Sequence, residues 1–400
     1  MKAIISKSTA SGTICAPPSK SMAHRYLICA AFARGTSTIH NIEMSEDICA
    51  TIDCIKALGA NVETDGTDVR VTGTDIKSFP DNAVLDCRES GSTLRFLIPI
   101  AMLSGKTIHF TGAQRLFERP LGVYEDMAEK HGFVFEKNGN NLTVNAVLPC
   151  GQYTVDGSVS SQFISGILFA LAILGGESTI DITQPFESRP YVRLTVNALR
   201  DFGADVIFDK NTITVHNLKL SEKDVMVEGD CSNAAYLHAF NYIGGNVTVL
   251  GINDSTAQGD IVYRELFKKL RRESPTIDIS DCPDLAPILF ALAAMENGAV
   301  IDGIRRLRIK ESDRAAAMKT ELEKLGASVA LFENRAVIDK RPLKKSSEPL
   351  SGHNDHRIVM ALTALLSRIG GEIDGAQAVA KSFPSYFDEI QKIGIKAVLE

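Results

Sequence analysis

The chain has 400 residues, 44% apolar and 23% charged, with a formal net charge of −6 and no tryptophan. That composition describes a globular chain of two or three domains, and an acidic balance without a basic stripe argues against nucleic acid as a partner. Eight scattered cysteines with no Cys-x-x-Cys pair argue against a disulfide framework or structural zinc. No apolar run nears the ~20 residues that span a bilayer, and Met1 to Ser6 lacks the block of a secretory signal, so a cytoplasmic protein is expected; it is also expected to be a monomer.

In chain order the first pattern is Pro17-Pro18-Ser19-Lys20-Ser21-Met22-Ala23-His24-Arg25, followed by an apolar run to Phe32. The prolines hold the chain extended. The run predicts a helix with Lys20 and Arg25 at its start, where free backbone N–H groups and the helix dipole favour an anion. A glycine and a short β-type stretch close the run, and this succession recurs at Gly35, Gly105, Gly176, Gly245, Gly298 and Gly371, at spacings of 70, 71, 69, 53 and 73. A polar cap precedes each apolar run: Ser19-Lys20-Ser21, Glu89-Ser90-Gly91-Ser92, Ser158-Val159-Ser160-Ser161-Gln162, Asp230-Cys231-Ser232-Asn233, Cys282-Pro283-Asp284 and Asn354-Asp355-His356-Arg357. After each marker an amphipathic helix is expected: Asp47 to Leu58, Leu121 to His131, Tyr191 to Phe202, Asp260 to Leu270, Ser312 to Leu325 and Ser385 to Ile393. A hairpin follows in most repeats, with turns such as Asp65-Gly66 and Asn138-Gly139. The fourth repeat has no room for one. The sixth runs out of chain, so its missing strands are expected from Met1 to Ser8.

Six βαβαββ-type units make an α/β protein and divide three and three: a discontinuous domain, 1–15 plus 223–400, and an inserted domain, 16–222. A six-unit solenoid is the alternative. Buried helices aimed alike would gather their starts at a cleft between the halves. Those starts carry Lys20, Arg25, Arg95 and Arg357, and the starts of the amphipathic helices carry Arg119, Arg189, Lys310, Arg314 and Lys381. In an acidic chain such a set suits a small ligand with several negative charges. Asp284, Glu311, Asp47 and Asp355 lie among them. A carboxylate held by cations stays ionised and accepts a proton from a substrate hydroxyl. Asp284 also reads as a helix cap, and Glu311 with Arg314 as an ordinary helical pair. Asp355-His356-Arg357 lacks the nucleophile elbow of a hydrolytic triad, and no Gly-rich phosphate or dinucleotide loop is present, so neither cofactor nor metal is expected.

Pro18-Ser19-Lys20-Ser21 with Arg25, Gly91-Ser92-Thr93-Leu94-Arg95, Glu118-Arg119-Pro120-Leu121-Gly122, Ser160-Ser161-Gln162-Phe163, Ser188-Arg189-Pro190-Tyr191, Glu228-Gly229-Asp230, Pro283-Asp284, Lys310-Glu311-Ser312-Asp313-Arg314, Asp355-His356-Arg357 and Lys381-Ser382-Phe383-Pro384 occur in this order. With them the chain resembles the 5-enolpyruvylshikimate-3-phosphate synthase family over almost its whole length. The resemblance implies a two-domain inverse α/β barrel and cofactor-free transfer of the enolpyruvyl group of phosphoenolpyruvate to the 5-hydroxyl of shikimate 3-phosphate, through a tetrahedral intermediate. By the same resemblance Lys20, Ser21, Arg25, Ser160, Ser161, Gln162, Ser188, Asp284 and Lys310 hold shikimate 3-phosphate. Phosphoenolpyruvate falls to Lys20, Gly91, Arg119, Gln162, Arg314, Arg357 and Lys381. Asp284 is implied as base and Glu311 as acid, with Lys20 assisting. Glu89-Ser90-Gly91-Ser92 and Arg306-Leu307 depart from the family's Asn-Ala-Gly-Thr and Asn-Trp. A UDP-N-acetylglucosamine enolpyruvyl transferase would carry a cysteine in the loop Gly112 to Arg119, which has none. A noncatalytic phosphometabolite-binding homologue would not need Asp284 and Glu311.

Overall fold

Each apolar run is a helix in the computed structural model, which describes residues 1–217 and 219–400: Lys20–Phe32, Gly91–Ala101, Ser161–Leu174, Cys231–Tyr242, Ala286–Met295 and His356–Ile369. Apolar on nearly every face, these helices are buried, with Leu27, Leu97, Leu168, Leu237, Leu289 and Leu362 wholly covered. The polar caps work as their chemistry dictates. Ser90, Ser160, Asp230 and Asp355 accept from the backbone N–H of Thr93, Gln162, Asn233 and Arg357. Ala286–Met295 differs, being entered through the 3-10 turn Pro283–Leu285, with Asp284 in its first turn.

Four-stranded sheets follow one plan. The strand before a buried helix pairs in parallel with the strand after it, and the hairpin adds two antiparallel strands, as in Ala83–Asp86, Ile108–Thr111, Asn141–Asn145 and Val134–Asn138. The amino-terminal segment completes two repeats that lack strands of their own. Lys2–Ser6 pairs antiparallel with Gly371–Asp374 and Lys396–Leu399, as the truncated sixth repeat required. Ser11–Cys15 pairs in parallel with Asn246–Leu250, a match with no local signal in the sequence. Val225–Met226 likewise pairs with Thr36–His40.

The chain forms two compact units, Met1–Pro17 with Gly229–Glu400, and Pro18–Glu228. In the first, Cys231–Tyr242, Ala286–Met295 and His356–Ile369 pack on one another around Phe240, Leu289, Leu362 and Tyr386. In the second, Gly91–Ala101 lies against Ser161–Leu174. Pro99, inside the first of these helices, has no N–H to give to the Arg95 carbonyl, and the Tyr124 hydroxyl donates to that carbonyl instead, at 2.6 Å. Space for this bond comes from Gly166, where a Cβ would collide with both the Arg95 carbonyl oxygen and the tyrosine hydroxyl. Gly166→Ala is therefore expected to lower the unfolding free energy in urea by about 2 kcal/mol. Gly122→Ala, whose Cβ meets open space, is the control and should stay within about 0.5 kcal/mol of the parent.

Candidate active site

In the unit Pro18–Glu228 the helix starts are tied together by buried hydroxyls. His24 Nδ1 meets Thr51 Oγ1 at 2.8 Å, Thr51 meets Thr93 at 2.7 Å, and Thr93 Oγ1 donates to Ser90 Oγ at 2.7 Å. Burial, reinforced by Lys20 and Arg25, holds the His24 pKa well below its ordinary value, so the ring is neutral. Lys20 leaves its helix to donate to Asp47 Oδ2 at 2.6 Å. Arg25 is 3% exposed and donates to Thr195 Oγ1, the Ser21 carbonyl and the Tyr191 carbonyl, with its guanidinium 5.2 Å from the centre of the Phe96 ring. Burial lowers its pKa to about 10, which leaves it charged at neutral pH.

A second group in this unit forms around Arg95. The guanidinium donates to Gln162 Oε1 at 2.8 Å and to the Pro120 carbonyl, and Gln162 Nε2 donates to Ser92 Oγ at 3.0 Å. Gly91 brings bare backbone against the buried Arg119, where a Cβ would stand 2.9 Å from the guanidinium carbon. Ser160 caps the helix that Ser161 begins, and Ser188 stands in a left-handed conformation (φ 55°) ahead of Arg189–Asp201. Arg189 is placed differently. It lies over the rings of Phe186 and Phe208 and donates to the Lys210 carbonyl, as a structural clamp. Arg306 is buried and Glu89 half-buried.

The unit Met1–Pro17 with Gly229–Glu400 gathers its charges on one carboxylate. Asp284 Oδ1 accepts from Lys310 Nζ at 3.1 Å and Arg314 Nη1 at 2.8 Å, and Oδ2 accepts from Arg357 Nη2 at 2.9 Å. Arg314, 1% exposed, also donates to Asp355 Oδ2 at 2.9 Å and Glu311 Oε2 at 2.7 Å. Asp355 in turn caps the Arg357 backbone and accepts from Ser312 Oγ. Lys381 donates to the Asn354 carbonyl at 2.7 Å, one residue before Asp355 in the chain. Desolvation alone would push the Asp284 pKa up, but Arg357, Lys310 and Arg314 outweigh it and hold the carboxyl well below its ordinary range. Arg314 is the converse: burial lowers its pKa, and Asp355, Glu311 and Asp284 reverse the sign to well above the usual value. For Lys310 burial prevails over Asp284, and its pKa is lowered.

Behind this cluster lies Asp260, buried, joined to the Ser232 hydroxyl and raised to about 6 by burial and by the Asp284 charge. Asp260, Tyr236 and Thr195 carry no sequence signal separating them from core and cap residues. Among the described residues, no group of three or more His, Cys, Asp or Glu side chains is placed to hold a metal ion, and no helix is long and apolar enough to cross a membrane.

A family model of EPSP synthase (3-phosphoshikimate 1-carboxyvinyltransferase) matches residues 5–390. The chain belongs to the EPSP synthase family. The 3-phosphoshikimate 1-carboxyvinyltransferase of Clostridium kluyveri is 38% identical over 406 residues, covering 96% of this chain and 95% of that one. Its counterpart in Clostridium perfringens is 36% identical and covers 98% of both. Two solved structures of EPSP synthase from Acinetobacter baumannii superpose over the full chain with TM-scores of 0.78 and 0.80, at 23% and 21% identity, and share its fold. Like the family, the chain is an enzyme, a transferase built as a two-domain inverse α/β barrel.

The shared carboxylate has a measurable cost of removal. With Asp284→Asn the three cations lose their anion, and unfolding at pH 7 should become easier by about 3 kcal/mol. Because the folded pKa lies below the unfolded value of about 3.9, the contribution of the ionised group is complete above that value and disappears as pH falls through the folded one. The stability difference between parent and variant should therefore stay level from pH 8 to about 5 and close only below about pH 4, as read by urea melts across that range.

Proposed function

We propose that this enzyme of the shikimate pathway joins the carboxyvinyl group of phosphoenolpyruvate to the 5-hydroxyl of shikimate 3-phosphate and releases phosphate. The observation that carries the reading is the Asp284 cluster, where one acceptor carboxylate is held by cations of the kind a phosphate and a carboxylate need. In the reaction the 5-hydroxyl oxygen bonds to C2 of phosphoenolpyruvate as its proton leaves, and a proton adds to the methylene carbon. The tetrahedral adduct then loses phosphate as its C–O bond breaks, and a methyl proton departs to restore the double bond.

Asp284 is the base for the hydroxyl proton and Glu311 the acid for the methylene, with Lys20 assisting. A carboxylate bonded to three cations is a weak base, and one paired with Arg314 is not a proton donor. The substrate supplies the remedy. As the phosphate and carboxylate of phosphoenolpyruvate compete for Arg314 and Arg357, the hold of those two cations on Asp284 and Glu311 weakens, Lys310 stays on Asp284, and the proton affinity of both carboxylates rises. The remaining assignments follow charge. Gly91, Arg119, Gln162 and Lys381 join Lys20, Arg314 and Arg357 around phosphoenolpyruvate. Ser21, Arg25, Ser160, Ser161, Ser188 and Lys310 join Gln162 on shikimate 3-phosphate. Arg25 commits three N–H groups to protein acceptors, so its share of a substrate carboxylate is limited to the two that remain.

Phosphate release from phosphoenolpyruvate and shikimate 3-phosphate tests the reading, and its absence would sink it. With Asp284→Ala, kcat should fall by about 10²- to 10⁴-fold without a rise in KM for phosphoenolpyruvate, because the deletion removes a base and a competitor for the cations together. A KM that rises as far as kcat falls would make Asp284 a binding group.

A further inference from the structure

Tyr236 sits in the second turn of Cys231–Tyr242, wholly buried, with Ala234, Ala235, Leu237 and Ala239 buried around it in sequence and the half-buried His238 turned to Tyr263. A phenol in such a place needs a partner for its hydroxyl, and this one finds it outside its own helix. Tyr236 Oη donates to the backbone carbonyl of Asp284 at 3.0 Å. The face of the same ring lies beneath Arg357, whose guanidinium carbon is 5.9 Å from the ring centre. Arg357 Nη2 closes the triangle on Asp284 Oδ2 at 2.9 Å.

We propose that Tyr236 is a positioning residue for carboxyvinyl transfer, its hydroxyl setting the backbone of the base Asp284 and its ring setting the plane of Arg357. The inference rests on the roles given to Asp284 and Arg357 above. Asp284 enters its helix through a 3-10 turn and lacks a capping side chain there, so the phenol supplies a fixed point for that backbone from a neighbouring helix. The ring does a different service. A guanidinium stacked on a π face keeps its edges, and so its N–H groups, directed at Asp284 or at an incoming anion. When substrate draws Arg357 from Asp284, both stay referenced to one rigid side chain. Burial raises the pKa of the hydroxyl above the ordinary tyrosine range, so it remains a donor throughout the working pH.

The two services separate by mutation. Tyr236→Phe removes the hydroxyl and keeps the ring, and is expected to lower kcat about tenfold, the worth of one ordinary hydrogen bond, with KM for phosphoenolpyruvate within about twofold of the parent. Tyr236→Leu removes both and should add a rise of about fivefold in that KM. Thermal melts of both variants, run alongside, tell a loss of rate from a loss of fold. Parent-like kcat in Tyr236→Phe overturns the inference, as does a drop in melting temperature with unchanged kinetics, which would make the tyrosine a core residue only. These outcomes are read against a parent that turns over; a parent inactive with the two substrates would refute the reaction itself, and this inference with it.

Discussion

One carboxylate shared by three cations organises the charged cluster of this molecule. Lys310 and Arg314 from one segment and Arg357 from another converge on Asp284, and without it they would repel one another. Arg314 is the deepest of them and is held in place by Asp355 and Glu311 as well, so a fully buried guanidinium is neutralised from several sides. The arrangement is stable without ligand yet made of groups that prefer a phosphate or a carboxylate when one arrives. Its resting state keeps Asp284, the proposed base, ionised and bonded to cations. On the proposed mechanism, proton affinity is a property that binding controls rather than a fixed attribute of the residue.

The repeat explains how such a cluster arises. Each unit delivers a buried helix whose first turn cannot satisfy its own N–H groups, and a second helix whose start lies close in sequence to a short loop. Cations on those starts are therefore placed by the same backbone plan each time. The unit Pro18–Glu228 shows a quieter version, with Lys20 on Asp47 and with Arg95 on Gln162. There buried hydroxyls, rather than shared charge, fix the helix starts relative to one another.

Much of this was legible in the sequence because it is local. Glycine markers at near-constant spacing reveal the repeat, and the polar residues ahead of each apolar run become the caps Ser90, Ser160, Asp230 and Asp355. The sixth repeat's missing strands point to Lys2–Ser6 because unsatisfied strand edges need a partner. Pairings with no local signature were not legible. Ser11–Cys15 and Val225–Met226 are short, and their partners lie far away in sequence, so nothing nearby announces them. Side-chain direction was equally hidden: Arg25 and Arg189 begin helices as Arg357 does, yet one is absorbed by Thr195 and Tyr191 and the other by Phe186 and Phe208. The sequence shows which segments carry cations. Only packing decides which of them face an anion.

Whether Asp284 is masked at rest and unmasked by substrate is asked directly by a carbon-13 NMR titration of its labelled carboxyl, with and without phosphoenolpyruvate. The free protein should show the Asp284 carboxyl ionised throughout the range near pH 3.9 where an ordinary aspartate titrates, and saturating phosphoenolpyruvate should move its titration upward. An Asp284 that titrates in the ordinary range without ligand, or one whose titration phosphoenolpyruvate leaves unmoved, would contradict the account.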